Sequence, residues 1–117
     1  MPASAPPRPF SVYILRCGDR SLYCGIAVDV AARLAQHSAG KEERYTRGRG
    51  PLTVVAKTRC RGHGEALRLE RAVKALSRAE KEALIARPRG LVGLALRVRS
   101  AYERRGDPPE ARNKARR

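Results

Sequence analysis

Apolar and polar positions alternate along this chain in stretches whose period changes from strand-like to helical. Ser11 to Arg16 and Leu22 to Ala27 are short and rich in β-branched and tyrosine residues, which predicts two strands. Cys17-Gly18-Asp19-Arg20-Ser21 between them reads as a hairpin loop. Asp29 is placed to N-cap a helix with Val30 and Leu34 on its apolar side, and Gly40 to end it. Leu52 to Thr58 predicts a third strand. Its Val54, Val55 and Ala56 are too continuously apolar for a strand with one solvated face, which puts it in the sheet's interior. From about Gly64 the pattern turns helical, with Ala66, Leu69, Val73 and Leu76 forming a stripe and Glu70 beside it. Ser77-Arg78-Ala79-Glu80 is a capping box that opens a further helix, which Pro88 and Gly90 stop. Leu91 to Tyr102 suits a helix through Leu91, Leu94, Val98 and Tyr102, and a strand through Val92, Leu94, Leu96 and Val98; the helical register is preferred. The elements together predict an α/β (α+β) domain with a small central antiparallel three-stranded sheet flanked by helices.

Composition sets the limits. A chain of 117 residues holds one domain with a modest core. Residues 1–9 carry four prolines and no apolar run, which predicts a disordered tail and excludes a signal peptide or membrane span in that stretch. Residues 10–86 are expected to form the domain, and residues 87–117 a basic C-terminal extension with ten basic and three acidic residues. That extension reads either as an electrostatic arm or as a solubilising end. The formal net charge of +15 points to a polyanion, with nucleic acid the first choice, although a GC-rich codon bias toward arginine would also raise the charge. Cys17, Cys24 and Cys60 are odd in number and never spaced Cys-x-x-Cys, so neither a disulfide framework nor a zinc site is suggested, and a cytoplasmic location is expected. With four tyrosines and one phenylalanine the chain lacks the repeated stacking platforms of single-strand binders, which favours a duplex, junction or flap.

Several residues carry candidate chemistry. Tyr13 and Tyr23, on adjacent predicted strands, can bring two phenolic hydroxyls to one edge, although two half-buried strand tyrosines would look the same. Arg33 and His37 lie four residues apart on one helical face, where a guanidinium fork can hold phosphate oxygens and an imidazole can pass a proton; a solvated face with a chance histidine is the plain alternative. Glu70 is an acid in a strongly basic chain, better suited to a cation than to a phosphate, or else a salt-bridge partner of Lys74. The glycine-spaced stretch from Gly40 to Pro51 offers Lys41, Arg44, Tyr45, Arg47 and Arg49 as backbone contacts, with Lys74 a further basic candidate. His63, between two glycines, reads as a turn residue.

This ordered set, Val12-Tyr13-Ile14, Leu22-Tyr23-Cys24-Gly25, Asp29, Arg33, His37 and Glu70, resembles the GIY-YIG nuclease family over roughly residues 10 to 86. The basic loop is similar to the Arg/Tyr-Thr-x-x-x-x-Pro stretch of its small single-domain members. Two positions depart from the pattern: Ser11 stands where the first motif has its leading glycine, and Cys24 where the second has isoleucine. Both are expected to be structural. The resemblance implies a metal-dependent endonuclease that hydrolyses phosphodiester bonds in DNA, structured or damaged, with RNA a further possible substrate. It assigns Tyr13 and Tyr23 to water activation and phosphate contact, Arg33 to charge stabilisation, His37 to proton handling, and Glu70 to a Mg2+ or Mn2+ ion. A non-catalytic nucleic-acid-binding module that retains the fold is the competing expectation.

Overall fold

The computed structural model describes residues 9–38 and 50–105, with residues 37 and 38 described by their backbone only. Strands β1 (Phe10–Arg16) and β2 (Leu22–Ala27) form the expected hairpin, with Arg16 opposite Leu22 and Ser11 opposite Ala27. Its turn is closed by Asp19, whose carboxylate accepts from the Ser21 backbone N–H at 3.0 Å and from the Ser21 hydroxyl at 2.5 Å. Helix α1 (Val30–Ser38) begins where Asp29 Oδ1 accepts the Ala32 N–H at 3.0 Å, the N-cap that the sequence predicts. Then follow β3 (Thr53–Cys60), α2 (His63–Lys74), α3 (Arg78–Ala86) and α4 (Gly90–Arg104). The expected helix end at Gly40 and the loop residues Lys41, Arg44, Tyr45, Arg47 and Arg49 lie outside the described residues, as do residues 1–8 and 106–117.

All three strands are antiparallel, in the order β2-β1-β3, so β3 is an edge strand and not the interior one expected from its apolar run. The central strand is β1, where Val12, Tyr13, Ile14 and Leu15 are at most 1 % exposed. A bulge explains the misleading run. Ile14 pairs with Ala56 and Leu15 with Val54, leaving Val55 as the extra residue, and Val54 packs on one side of the sheet while Val55 and Ala56 pack on the other. Continuous apolarity here reports layers above and below the sheet, not strands on either side.

Those layers are two cores. On one face Tyr13, Leu15, Ala27 and Val30 cluster with Tyr23 and Leu34, so α1 is the cover. On the other face Val12, Ile14, Cys24 and Cys60 pack against Ala66, Leu69 and Val73 of α2, Leu84 of α3, and Leu91 and Ala95 of α4. The α2 stripe is the predicted one, and the capping box forms in full: Ser77 Oγ accepts the Glu80 N–H at 3.1 Å while Glu80 Oε1 accepts the Ser77 N–H at 2.8 Å.

Residues 90–104 adopt the helical register. Leu96, which a strand would align with Leu94, is instead 50 % exposed. Gly90 does not act as the stop of α3, which already ends at Ala86; it opens α4, and a Cβ there would overlap the Leu84 carbonyl, so glycine allows α4 to fold back against α3. Helix α4 is then fixed to α2. Arg99 makes a two-pronged pair with the buried Glu65 at 2.7 and 2.8 Å, the Arg61 N–H donates to the same carboxylate at 2.9 Å, and Arg68 lies 3.6 Å over the Tyr102 ring. Hydrogen bonds from Arg99 hold the Glu65 carboxyl below the usual carboxylate range. No helix among the described residues is long and apolar enough to cross a membrane.

Candidate active site

Strand alternation and register decide where the two tyrosines point. Tyr13 pairs with Gly25, and Tyr23 lies two residues before Gly25 on β2, so both rings occupy the face covered by α1. Their centroids are 6.4 Å apart and tilted by 48°. Gly25 makes the arrangement possible, because a Cβ there would stand 2.5 Å from the Tyr13 hydroxyl oxygen and 3.0 Å from Tyr23 Cε2. Tyr13 is 1 % exposed, whereas Tyr23 is half-buried at the sheet's outer edge. Tyr23 is therefore the more accessible phenol, with Tyr13 behind it.

At that edge Tyr23 also borders a depression lined by Ile14, Leu22, Cys24, Val73, Lys74 and Lys81. Helix α2 supplies one wall. Its Ala66, Leu69 and Val73 enter the core and Arg68 turns toward α4, which leaves Glu70 and Lys74 on the side turned to β2. Helix α3 supplies Lys81, and two contacts hold this helix to the hairpin. Arg16 pairs with Glu82 through two 2.8 Å bonds, and Arg78 donates to the Arg20 carbonyl at 2.7 Å. The Arg16 guanidinium holds the Glu82 carboxyl down to about 2, with Arg78 assisting.

Glu70 is a well-sheltered carboxylate, its side chain 18 % exposed, and it pairs with Lys74 Nζ at 3.3 Å. Among the described residues no three His, Cys, Asp or Glu side chains group together as a metal cage. One hard oxygen donor fits an ion of the magnesium kind, which keeps most of its waters and takes one or two protein carboxylates. Cys24 is buried, and burial followed by the nearby Glu70 charge pushes its thiol up to about 12, so it stays protonated and fills space in the core. Burial likewise raises the Cys60 thiol.

Arg33 lines a different cleft, at the far end of β2, together with Phe10, Ile26, Asp29, Gln36 and His63. His63 is the first residue of α2, and its ring lies 4.8 Å from that of Phe10. His37 falls in the last turn of α1, and its side chain lies outside the described residues. The structure thus brings Tyr13 and Tyr23 together and puts Glu70 and Lys74 near the Tyr23 edge, while Arg33 lines the separate cleft at the far end of β2. Lys81 is the residue that sequence reasoning missed. It is half-buried beside Tyr23 and Cys24 and not on the open solvent face of α3. The signal lay in its spacing, since Lys81 precedes the buried Leu84 by three residues and shares its face.

Residues 9–83 match the family model described as the GIY-YIG catalytic domain. The chain is similar to a UPF0213 protein of Vibrio cholerae, 47% identical over 81 residues that cover 68% of this chain and 80% of that one. A UPF0213 protein of Halalkalibacterium halodurans is 49% identical over 74 residues, covering 63% of this chain and 79% of the relative. Among solved structures it resembles the solution NMR structure of a UPF0213 protein from Bacillus halodurans, with 46% identity, 67% of this chain and 83% of that one covered, and a TM-score of 0.45.

Proposed function

Because this chain belongs to the GIY-YIG catalytic-domain family, a family of nucleases, we propose that it is a metal-dependent endonuclease that hydrolyses phosphodiester bonds in DNA at the Tyr23 edge. The observation that carries the proposal is the paired tyrosines: two phenols packed on one face, one buried and one reachable, with Gly25 leaving room for the Tyr13 hydroxyl. Tyr23 meets the attacking water and the scissile phosphate, and Tyr13 orients it from behind. Arg33 binds phosphoryl oxygens through its planar fork, and His37 handles the proton. Glu70 is the residue that would hold Mg2+ or Mn2+, which when bound supplies charge neutralisation at the phosphoryl oxygens. Lys74 and Lys81 add positive charge beside the same edge. Structured or damaged DNA is the preferred substrate, RNA the second, in a cytoplasmic protein.

One observation favours a second reading. The Glu70 carboxylate is already engaged by Lys74, as it would be in a binding module that has given up catalysis. Cleavage of flaps, forks, junctions and nicked duplex with Mg2+ or Mn2+ separates the two. Glu70→Gln should abolish cutting and leave DNA binding intact, and Arg33→Ala should slow cutting by about 100-fold or more. Arg71→Ala, exposed on the outer side of α2, should cut normally. If wild type and Glu70→Gln give the same products, or neither gives any, the nuclease proposal is wrong.

A further inference from the structure

On the outer strand, away from the Tyr23 edge, lies a second basic feature. Lys57 and Arg59 of β3 alternate onto the face that carries Tyr13, with Lys57 paired across the sheet to Tyr13 and Arg59 to Ser11. Both are exposed. Around the free edge of β3 comes Arg89, from the turn between α3 and α4, held in the left-handed region at φ 55° and also exposed. The three cations line one cleft, floored by Ser11 and walled by the first turn of α1.

Their charge is uncommitted. Arg16, Arg61, Lys74, Arg78 and Arg99 each face a glutamate, but among the described residues Lys57, Arg59 and Arg89 have no ion-pair partner. Among the described residues Asp29 is the single acid lining the cleft, and its Oδ1 already caps α1. Lys57 and Arg59 are two residues apart on an extended strand, hence about 6.6 Å along it, close to the step between neighbouring phosphates of a nucleic-acid strand. Lys57 is paired across the sheet with Tyr13, so the cleft lies beside the strand that carries the buried tyrosine. Among the described residues no aromatic side chain lines it, which suits a sugar-phosphate backbone better than stacked bases.

We propose that Lys57, Arg59 and Arg89 form a cradle for the phosphodiester backbone of a duplex DNA arm that flanks the cleavage edge. Successive phosphates rest on Lys57 and on the Arg59 fork, and Arg89 closes over them from the edge of the sheet. The cradle rests on the nucleic-acid reading given above and extends it by adding a backbone contact at the β3 edge of the sheet, opposite the β2 edge that carries Tyr23.

The test uses the full chain and two triple variants of equal charge. Lys57→Gln/Arg59→Gln/Arg89→Gly empties the cradle, glycine being suited to the left-handed backbone at 89. Arg71→Gln/Arg97→Gln/Arg104→Gln removes three exposed charges from α2 and α4 instead. Binding of a labelled duplex without divalent metal is followed by anisotropy against salt. Losing three phosphate contacts should make the log–log slope shallower by about 2.7 in the cradle variant, and the comparison variant should change it by less than about 1. If the cradle triple fails to fold, the single variants Lys57→Gln and Arg89→Gly should each lower the slope by about 0.9. An unchanged slope, or equal losses in both triples, overturns the cradle. Cutting by wild type is scored separately: a lost slope without wild-type cleavage retains the cradle and removes the nuclease, and cleavage with an unchanged slope does the reverse.

Discussion

Alanine at position 25 tests whether the tyrosine pair depends on the space that glycine leaves. The added Cβ would lie 2.5 Å from the Tyr13 hydroxyl oxygen, 2.7 Å from its Cζ and 3.0 Å from Tyr23 Cε2. Comfortable carbon contacts begin near 3.5 Å, so the Tyr13 ring has to move by about 1 Å. It has little room to do so, being 1 % exposed and clustered with Leu15, Ala27 and Val30. Overfilling a packed site of this kind costs about 1–3 kcal/mol. Working against that loss, alanine narrows the unfolded ensemble, an effect worth about 0.4–1 kcal/mol when the native backbone tolerates it. Gly25 does not use the left-handed region, so that gain applies. The net expectation is a destabilisation of about 1–2 kcal/mol, read in urea by circular dichroism as a lower midpoint with an unchanged slope. Tyr13→Phe removes the nearer of the two clashing Tyr13 atoms, so in that background Gly25→Ala should cost less by about 0.5 kcal/mol or more. A wild-type midpoint for Gly25→Ala, or an equal cost in both backgrounds, would refute the reasoning.

What could be read in the sequence follows from how local each cause is. Strands β1 and β2, the Asp29 cap, the α2 stripe and the capping box at Ser77 are set by residues within a few positions of one another, and the structure has them where spacing put them. The common face of Tyr13 and Tyr23 is local too, because a five-residue turn fixes the register and a slip of one residue would send the rings to opposite sides. Sheet order is a different matter. Which strand becomes central depends on the bulge at Val55 and on helices packed on both faces, and an apolar run cannot tell a neighbouring strand from a covering helix. The ties that hold α3 and α4 are further out of reach: Arg16 finds Glu82 across 66 positions, and Arg99 finds Glu65 across 34. The candidate site divides in the same way. Glu70 was legible as a neighbour of the core stripe, and the inward face of Lys81 could be read from its spacing to Leu84, but that α3 packs beside Tyr23 depends on the Arg16–Glu82 and Arg78–Arg20 contacts, which no local pattern announces.

Two further predictions follow from those ties. Ending the chain after Arg87 removes Leu91 and Ala95 from the core and leaves the buried Glu65 carboxylate without Arg99, so it should destabilise the protein by at least about 3 kcal/mol. Ending it after Arg105 should leave the urea midpoint unchanged, and equal midpoints for the two truncated chains would refute a structural role for α4. The acid side of the stability profile tests the other pair of ties. Glu65 and Glu82 are both held below the ordinary glutamate value of 4.5 in the folded protein, Glu82 at about 2, because guanidinium groups favour their charged forms. A depressed folded value means that the unfolded chain takes up protons first, so the stabilisation is fully present above 4.5 and is lost as the pH falls from there through about 2. Thermal unfolding followed from pH 6 to pH 2 should therefore show the melting temperature of wild type falling more steeply than that of Glu82→Gln below about pH 4.5, the two curves converging toward about pH 2. Parallel curves across that window would mean that the Arg16–Glu82 contact carries no charge-dependent stability, and the position of α3 over the Tyr23 edge would then rest on Leu84, the α4 packing and the Arg78 bond to the Arg20 carbonyl.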